Sequence, residues 1–413
     1  MFYYECQGKI LVSKHKYAGI KEISQARASD CTGSVYTLNS LEPSSSRKAF
    51  CVSRPSLAFP DKEGIEILLR RDGPSNLPGW LLDAIEKRNV TSVNTTYPNW
   101  RDLPACALPG KWRVNIAGLG DVGGMLLTGL RLLGGNRISG IGIYSRSLSN
   151  MKRWEYEANQ ILAPGNSVAG PPVYMLKEDE VFDCDLFVFC ISAGVPPVGS
   201  APADVRMAQL KGNSPIVAAY AKKAREAGFK GVFAVVSDPV DLLCKTAFTE
   251  SNTDSKGSLD FGGLAPEQIR GYGLGVMYAR AAYFAMRSPE SAHFSEEGRA
   301  FGPHGEGLVI ADSIKNYNEE LSLFLTEKAC NANMYVRSEG YKPYVAPALS
   351  SGSLSLIALI KGMWHYSSTF IGGVYMGSRN RLLGSGTEVE ALDLPAPLYD
   401  RIKKTYERLG EML

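Results

Sequence analysis

Residues 113–146, RVNIAGLGDVGGMLLTGLRLLGGNRISGIGIYSR, restrict the fold more than any other stretch of the chain. A short apolar run, Val114, Ile116 and Ala117, reads as a buried strand, and Gly118, Gly120 and Gly123 come after it in GxGxxG spacing. Residues 125–133 then carry apolar side chains at helical intervals, and residues 141–144 form a second apolar run. Strand, glycine turn, helix and strand make one βαβ unit. In such a unit the first glycine permits the tight turn, the second lets the backbone approach a pyrophosphate, and the third lets helix and strand pack closely. The helix N-terminus adds free N–H groups and the positive end of its dipole. Alone the spacing could mark only a glycine-rich turn. Within a βαβ unit it marks a dinucleotide site made by Gly118, Gly120, Asp121, Val122 and Gly123.

The rest of the composition narrows the function by exclusion. At 413 residues there is room for two or three domains with cores of their own. A net charge of +3, with no long basic run, gives no footprint for nucleic acid or an anionic membrane. Eight cysteines are scattered with no CxxC pair, so neither a metal site nor a redox couple is indicated. Cys184 and Cys190, within DCDLFVFCISAG, read as small buried thiols. The opening MFYYECQGKI lacks the charged start and apolar core of a signal peptide, and no apolar run approaches a membrane span. A reducing, cytoplasmic location is expected.

Residues 1–110 differ from the remainder of the chain. Residues 3–12 and 62–69 suit strands, residues 78–87 suit a short helix, and nothing here has catalytic spacing. We read this part as a small packing or oligomerisation module of unknown role. After the βαβ unit come a polar helix over 151–162, a strand over 181–192 and a loop over 193–206. That loop, AGVPPVGSAPADVR, has the stiff pieces and hinges of a lid. Next are a helix over 207–227, a strand over 232–236 and SDPVDLL. The spacing predicts further helices over 310–326, 345–364 and 397–413, and strands over 367–374 and 388–394.

Four pieces now stand in order: the glycine turn, SDPVD, the helix start GYGLGVMYAR, and GPHGEG. Together, over about residues 112–413, they resemble the lactate/malate dehydrogenase superfamily of L-2-hydroxyacid dehydrogenases, with its NPVD-like motif, LDxxR helix and HG[DE] loop. The resemblance implies an α/β fold: a Rossmann-type doubly wound parallel sheet over 111–270, an α+β substrate domain over 271–413, and residues 1–110 as an extension. It implies hydride transfer between a nicotinamide cofactor and a 2-oxo or 2-hydroxy acid, and a homo-oligomer. His304 matches the family's proton donor and acceptor, and imidazole titrates near neutral pH. Arg280 matches the arginine that grips the substrate carboxylate, which a planar guanidinium holds by two parallel hydrogen bonds. Arg206, seven residues before Asn213, matches the lid arginine that polarises the substrate carbonyl.

Two positions depart from the family pattern. The aspartate that partners the histidine belongs three residues before Arg280, where this chain has Met277. The asparagine of NPVD is Asp238 here. One acid lost and one gained suggests that Asp238 supplies the missing charge from the other side of the site, with Glu306 as a second candidate. Asp238 also opens an alternative, an imine or opine-type reductase. Loss of the aspartate opens another, a dinucleotide-binding homologue without turnover.

Cofactor and substrate are read from charge. An NAD site offers an acid to the ribose at the end of the second strand. Here that place holds Ser145 and Arg146, which suits a 2′-phosphate, so NADP is expected, with NAD as the alternative. Ser192, Ala193 and Gly194, at the carboxyl end of the next strand, complete the cofactor set. Residues 195–205 hold no basic side chain, so a second substrate carboxylate would be buried unpaired. A monocarboxylic 2-oxo acid with an apolar side chain fits better. Ala346, Ala348 and Ser350 leave room beyond pyruvate.

Overall fold

The computed structural model describes residues 1–30, 33–70, 76–103, 107–162, 164–165, 170–194 and 205–412, with only the backbone of 205 and 206. The N-terminal part contains β1 (Phe2–Cys6), β2 (Lys9–Ser13), β3 (Lys21–Glu22), α1 (Gln25–Ser29), β4 (Val35–Asn39), β5 (Ala49–Cys51), α2 (Gly79–Glu86) and β6 (Val90–Asn94). Gln7 and Gly8 join β1 to β2 with φ of 52° and 73°, the left-handed pair that a two-residue hairpin turn requires. The strands form one mixed sheet in the order β3-β1-β2-β4-β6-β5, with β2, β4 and β6 parallel. Alternation decides the faces: Tyr3, Ile10, Val12 and Val35 pack with Leu81 and Ile85 of α2, while Tyr4, Leu11, Tyr36 and Leu38 bury the other face. The N-terminal part thus forms a sheet with a core on both sides.

The next strands and helices are β7 (Trp112–Ala117), α3 (Asp121–Leu133), β8 (Ile138–Tyr144), α4 (Leu148–Asn159), β9 (Val173–Met175), β10 (Leu186–Phe189), α5 (Val205–Glu226), β11 (Val232–Val235), α6 (Val240–Ser251) and β12 (Ile269–Gly271). They give a parallel sheet ordered β9-β8-β7-β10-β11-β12, the doubly wound arrangement in which the order of strand addition reverses between β7 and β10. Ligands collect outside the carboxyl ends of the strands at that reversal. Helix α3 buries Leu127 and Leu130 in the core shared with β7 and β8 and sets Leu126 against Gly352 of the later chain.

The remainder comprises α7 (Leu274–Ala285), α8 (Phe294–Glu297), β13 (Arg299–Phe301), β14 (Val309–Ala311), α9 (Glu319–Ser338), a π-helical stretch (Pro347–Ser353), α10 (Leu354–Ile360), β15 (His365–Ile371), β16 (Val374–Leu383), β17 (Gly386–Val389) and α11 (Ala396–Glu411). Strands β15–β17 extend the same sheet, antiparallel, from β12 through the Gly271–Ser368 pair. The fold is α/β, a Rossmann-type sheet with α+β structure after it.

The strand expected over 388–394 is strand only where it overlaps the end of β17, and two further expected elements take other forms. Residues 62–69 hold a 3₁₀ turn, Ile65–Leu68, whose Ile65, Ile67 and Leu68 all face the core rather than alternating. The helix expected over 310–326 is the strand β14 and then α9, which begins only at Glu319. Between them Ser313 Oγ accepts from the backbone N–H groups of Lys315 and Asn316, and Asn318 caps α9 by accepting from Leu321.

The two sheets meet across polar contacts. The Glu267 carboxylate accepts the backbone N–H groups of Lys48 and Ala49, Arg88 pairs with Glu388 at 2.9 Å, and Thr91 donates to the Ser385 carbonyl. Among the described residues, no helix is long and apolar enough to cross a membrane.

Candidate active site

The glycine turn lies between β7 and α3. Gly118 has φ of +97°, and a Cβ on it would come within 2.8 Å of the Cys190 carbonyl carbon, so neither the conformation nor the space admits a side chain. A Cβ on Gly123 would lie 1.9 Å from the Gly118 carbonyl oxygen. These two positions let the turn close against the end of β10. Gly120, which caps α3, is different: a Cβ there meets nothing within 4 Å. The cradle is closed behind and open in front, which fits a diphosphate approaching the N–H groups of α3. Asp121 stands in the first turn of α3, its carboxylate 3.0 Å from Lys342 Nζ, with Val122 next to it.

Ser145 and Arg146 come directly after β8; the Ser145 hydroxyl accepts from the Ser147 N–H, and Arg146 is exposed. Ser192, Ala193 and Gly194 are exposed at the end of β10. Asn213 of α5 ties this edge to the next one. Its carboxamide oxygen accepts from Ala193 N–H at 2.8 Å, and its nitrogen donates to the Asp238 carbonyl at 2.7 Å. Ser237, beside it, donates to the Ile191 carbonyl at 2.7 Å. Burial pushes the Cys184 and Cys190 thiols up to about 12, which leaves both as unreactive packing groups.

Asp238 stands just beyond β11, and His304 occupies the turn between β13 and β14. Gly302 N–H bonded to the Gly377 carbonyl, and Thr405 donating to the Gly307 carbonyl, pin that turn at both ends. Across the gap His304 Nδ1 lies 2.9 Å from Asp238 Oδ1. Glu306 turns the other way, onto Arg408 of α11 at 2.6 Å. The structure therefore brings His304 to Asp238, and Glu306 to Arg408.

Arg280 projects from α7 one turn beyond Met277, and its Nη1 reaches the Met277 sulfur at 3.5 Å. Met277 itself is buried among Ala281, Leu308, Ile310 and Leu325. Burial pulls the Arg280 guanidinium below its ordinary range, and the Asp238 charge works against that shift. Asp238 thus acts electrostatically on Arg280 while it is hydrogen-bonded to His304. Helix α7 is locked from behind by the π-helical stretch, where Ser351 Oγ accepts from Val276 N–H and donates to the Gly273 carbonyl. Ala348 and Ser351 are buried in that packing.

Arg206 lies in the first turn of α5, and its side chain falls outside the described residues, as does the lid stretch 195–204. The sequence alone gives no sign of Ser351 and offers Asn213 only as a spacing mark. Neither sits in a motif, because each acts by joining elements distant along the chain.

No protein-family model matches the chain. L-lactate dehydrogenase 2 of Staphylococcus aureus is 28% identical over 162 residues, 36% of this chain and 46% of the relative, so the match spans less than half of that protein. Among solved structures, lactate dehydrogenase of Cryptosporidium parvum, complexed with lactic acid and nicotinamide adenine dinucleotide, is 15% identical at a TM-score of 0.58. That match covers 74% of this chain and 97% of the other. Malate dehydrogenase of Archaeoglobus fulgidus in complex with NADH is 16% identical at a TM-score of 0.55, covering 72% of this chain and 97% of its own. The chain has the lactate/malate dehydrogenase fold. In both structural comparisons that fold is spanned almost whole, and about a quarter of this chain lies outside it.

Proposed function

We propose that this dehydrogenase-fold chain reversibly reduces a monocarboxylic 2-oxo acid to the 2-hydroxy acid with a nicotinamide dinucleotide. The observation that carries the reading is the His304–Asp238 pair at 2.9 Å, with the half-buried Arg280 guanidinium within electrostatic reach. Gly118, Gly120 and Gly123, with Ser192–Gly194 opposite, would hold the cofactor, and the open face at Gly120 fits its diphosphate. The bound cofactor supplies the hydride.

The protein residues do the rest. Arg280 offers a planar fork to the substrate carboxylate, and its partial desolvation strengthens that grip. With Nδ1–H donated to Asp238, His304 keeps Nε2 for the proton that passes to or from the substrate oxygen. Asp238 stabilises the imidazolium, the task that the Met277 position has given up. Arg206 completes the set as the carbonyl-polarising cation. Residues 111–270 would carry the cofactor and 271–413 the substrate groups. Ser145 and Arg146 favour NADP over NAD, and a cytoplasmic homo-oligomer is the setting we assign.

The test is a panel of 2-oxo acids with NADPH and NADH, run beside His304→Ala. Turnover of an apolar 2-oxo acid that His304→Ala reduces about a thousandfold supports the reading. Absence of turnover with every acid, or turnover indifferent to His304→Ala, overturns it.

A further inference from the structure

The first turn of α3 contains one acidic residue, Asp121, directly after the glycine that leaves the cradle open. A carboxylate there opposes the fold's use of a helix N-terminus, because it sets a negative charge beside the place where a diphosphate would sit. The chain answers it from a distant element. Lys342, on the connection between α9 and the π-helical stretch, puts its ammonium 3.0 Å from the Asp121 carboxylate, 221 residues away in sequence. Both side chains are solvent-accessible, so the pair adds little to stability. Its position gives it another use.

We propose that Lys342 is part of the diphosphate subsite: it neutralises Asp121 and presents its ammonium to the phosphates when the dinucleotide binds. This rests on the dehydrogenase reading of the site. The connection that carries Lys342 also has a fixed base. The π-helical stretch after it is held to α3 by Ser353 donating to the Leu126 carbonyl, and to α7 by Ser351. Lys342 is therefore displayed over the end of α3 by a segment anchored to both the cofactor helix and the helix of Arg280. Unlike Ser145 and Arg146, it acts on a group common to NAD and NADP, so it sets affinity for both alike without choosing between them.

The test measures dissociation constants for NADPH, NADH and adenosine by titration calorimetry on the full chain, with Lys342→Gln, Asp121→Asn and the double variant. Lys342→Gln is expected to weaken both dinucleotides about fivefold and leave adenosine, which has no diphosphate, unchanged. Its loss should shrink as salt rises. Asp121→Asn added to Lys342→Gln should recover only the part of the loss that came from the uncovered carboxylate, leaving the part owed to the missing ammonium. Unchanged dinucleotide affinity in Lys342→Gln, or an equal loss for adenosine, overturns the assignment while leaving the dehydrogenase reading intact. A wild-type chain that binds neither dinucleotide overturns that reading, and this one with it.

Discussion

Gly273 and His304 stand back to back: a Cβ on the glycine would come within 2.7 Å of the histidine Cβ and 3.1 Å of a Val240 methyl. Gly273 caps α7, the helix of Arg280, so the space it leaves empty fixes the spacing between the two groups assigned to proton transfer and carboxylate binding. Gly273→Ala should push the histidine turn outward, with a stability loss of about 1–3 kcal/mol from overpacking. Because Asp238 reaches His304 through one hydrogen bond, a shift of that size also breaks the pair. The expected outcome is a kcat at least about tenfold lower with dinucleotide affinity unchanged. Steady-state kinetics and a cofactor titration on the same preparation check it. A variant as active as wild type would show that His304 sits loosely.

Asp238→Asn tests the charge separately from the geometry. The backbone carbonyl of residue 238 keeps its bond to Asn213, so the link between the β10 and β11 edges survives. The side chain still offers an oxygen to His304 Nδ1, but without a negative charge, and the histidine can be held in the wrong tautomer. We expect kcat/KM to fall by on the order of 10²–10⁴, a midpoint of thermal unfolding within a few degrees of wild type, and dinucleotide binding unchanged. If activity survives the substitution, Asp238 has no part in proton transfer.

How much of this could be read from the residues alone depended on how local the constraint was. The glycine turn was legible because the backbone conformation at Gly118 and the close contact at Gly123 demand glycine wherever such a turn occurs. The Asp238–His304 pair was half legible. The exchange of one acid for another named Asp238 and the GPHGEG loop named His304, but a separation of 66 positions gave no distance. The N-terminal sheet was barely legible, since β4 finds its partner β6 only after a long excursion through β5 and α2, and parallel pairing leaves no turn signature. Residues 310–326 misled because Ile310, Ile314 and Tyr317 mimic a helical stripe. Asp312 and Ser313, both fully buried, instead turn the backbone between β14 and α9.

Glu267 links the N-terminal sheet to the dehydrogenase-fold region, and its ionisation should be visible in stability. Burial raises its carboxyl to about 7, against the lowering influence of its backbone hydrogen bonds and of Lys48. A carboxyl raised in the fold binds its proton more tightly there than in the unfolded chain. Its contribution is therefore fully present below the unfolded value of 4.5 and is lost as pH rises through about 7. Replacing it with a permanently neutral amide removes that dependence. Across pH 5 to 8, wild type should lose about 1–3 kcal/mol relative to Glu267→Gln. Denaturant unfolding at several pH values measures the difference, and parallel profiles for the two proteins would refute the assignment.

Coenzyme choice is testable at the end of β8. Arg146 is exposed just beyond that strand, and Ser145 spends its hydroxyl on the Ser147 N–H. Neither offers the carboxylate that would hold two ribose hydroxyls and repel a 2′-phosphate. Ser145→Asp supplies that carboxylate, and Arg146→Ala removes the cation in the same region. Together they should lower kcat/KM for NADPH about a hundredfold and raise it for NADH, since a charge-assisted contact is lost on one ligand and gained on the other. The effect should reside in KM rather than kcat, because the adenosine end lies far from the hydride and contributes equally to ground and transition states. Parallel kinetics with both cofactors decide it: a double variant that keeps the wild-type ratio of NADPH to NADH efficiency would mean that selectivity is set elsewhere around the adenosine.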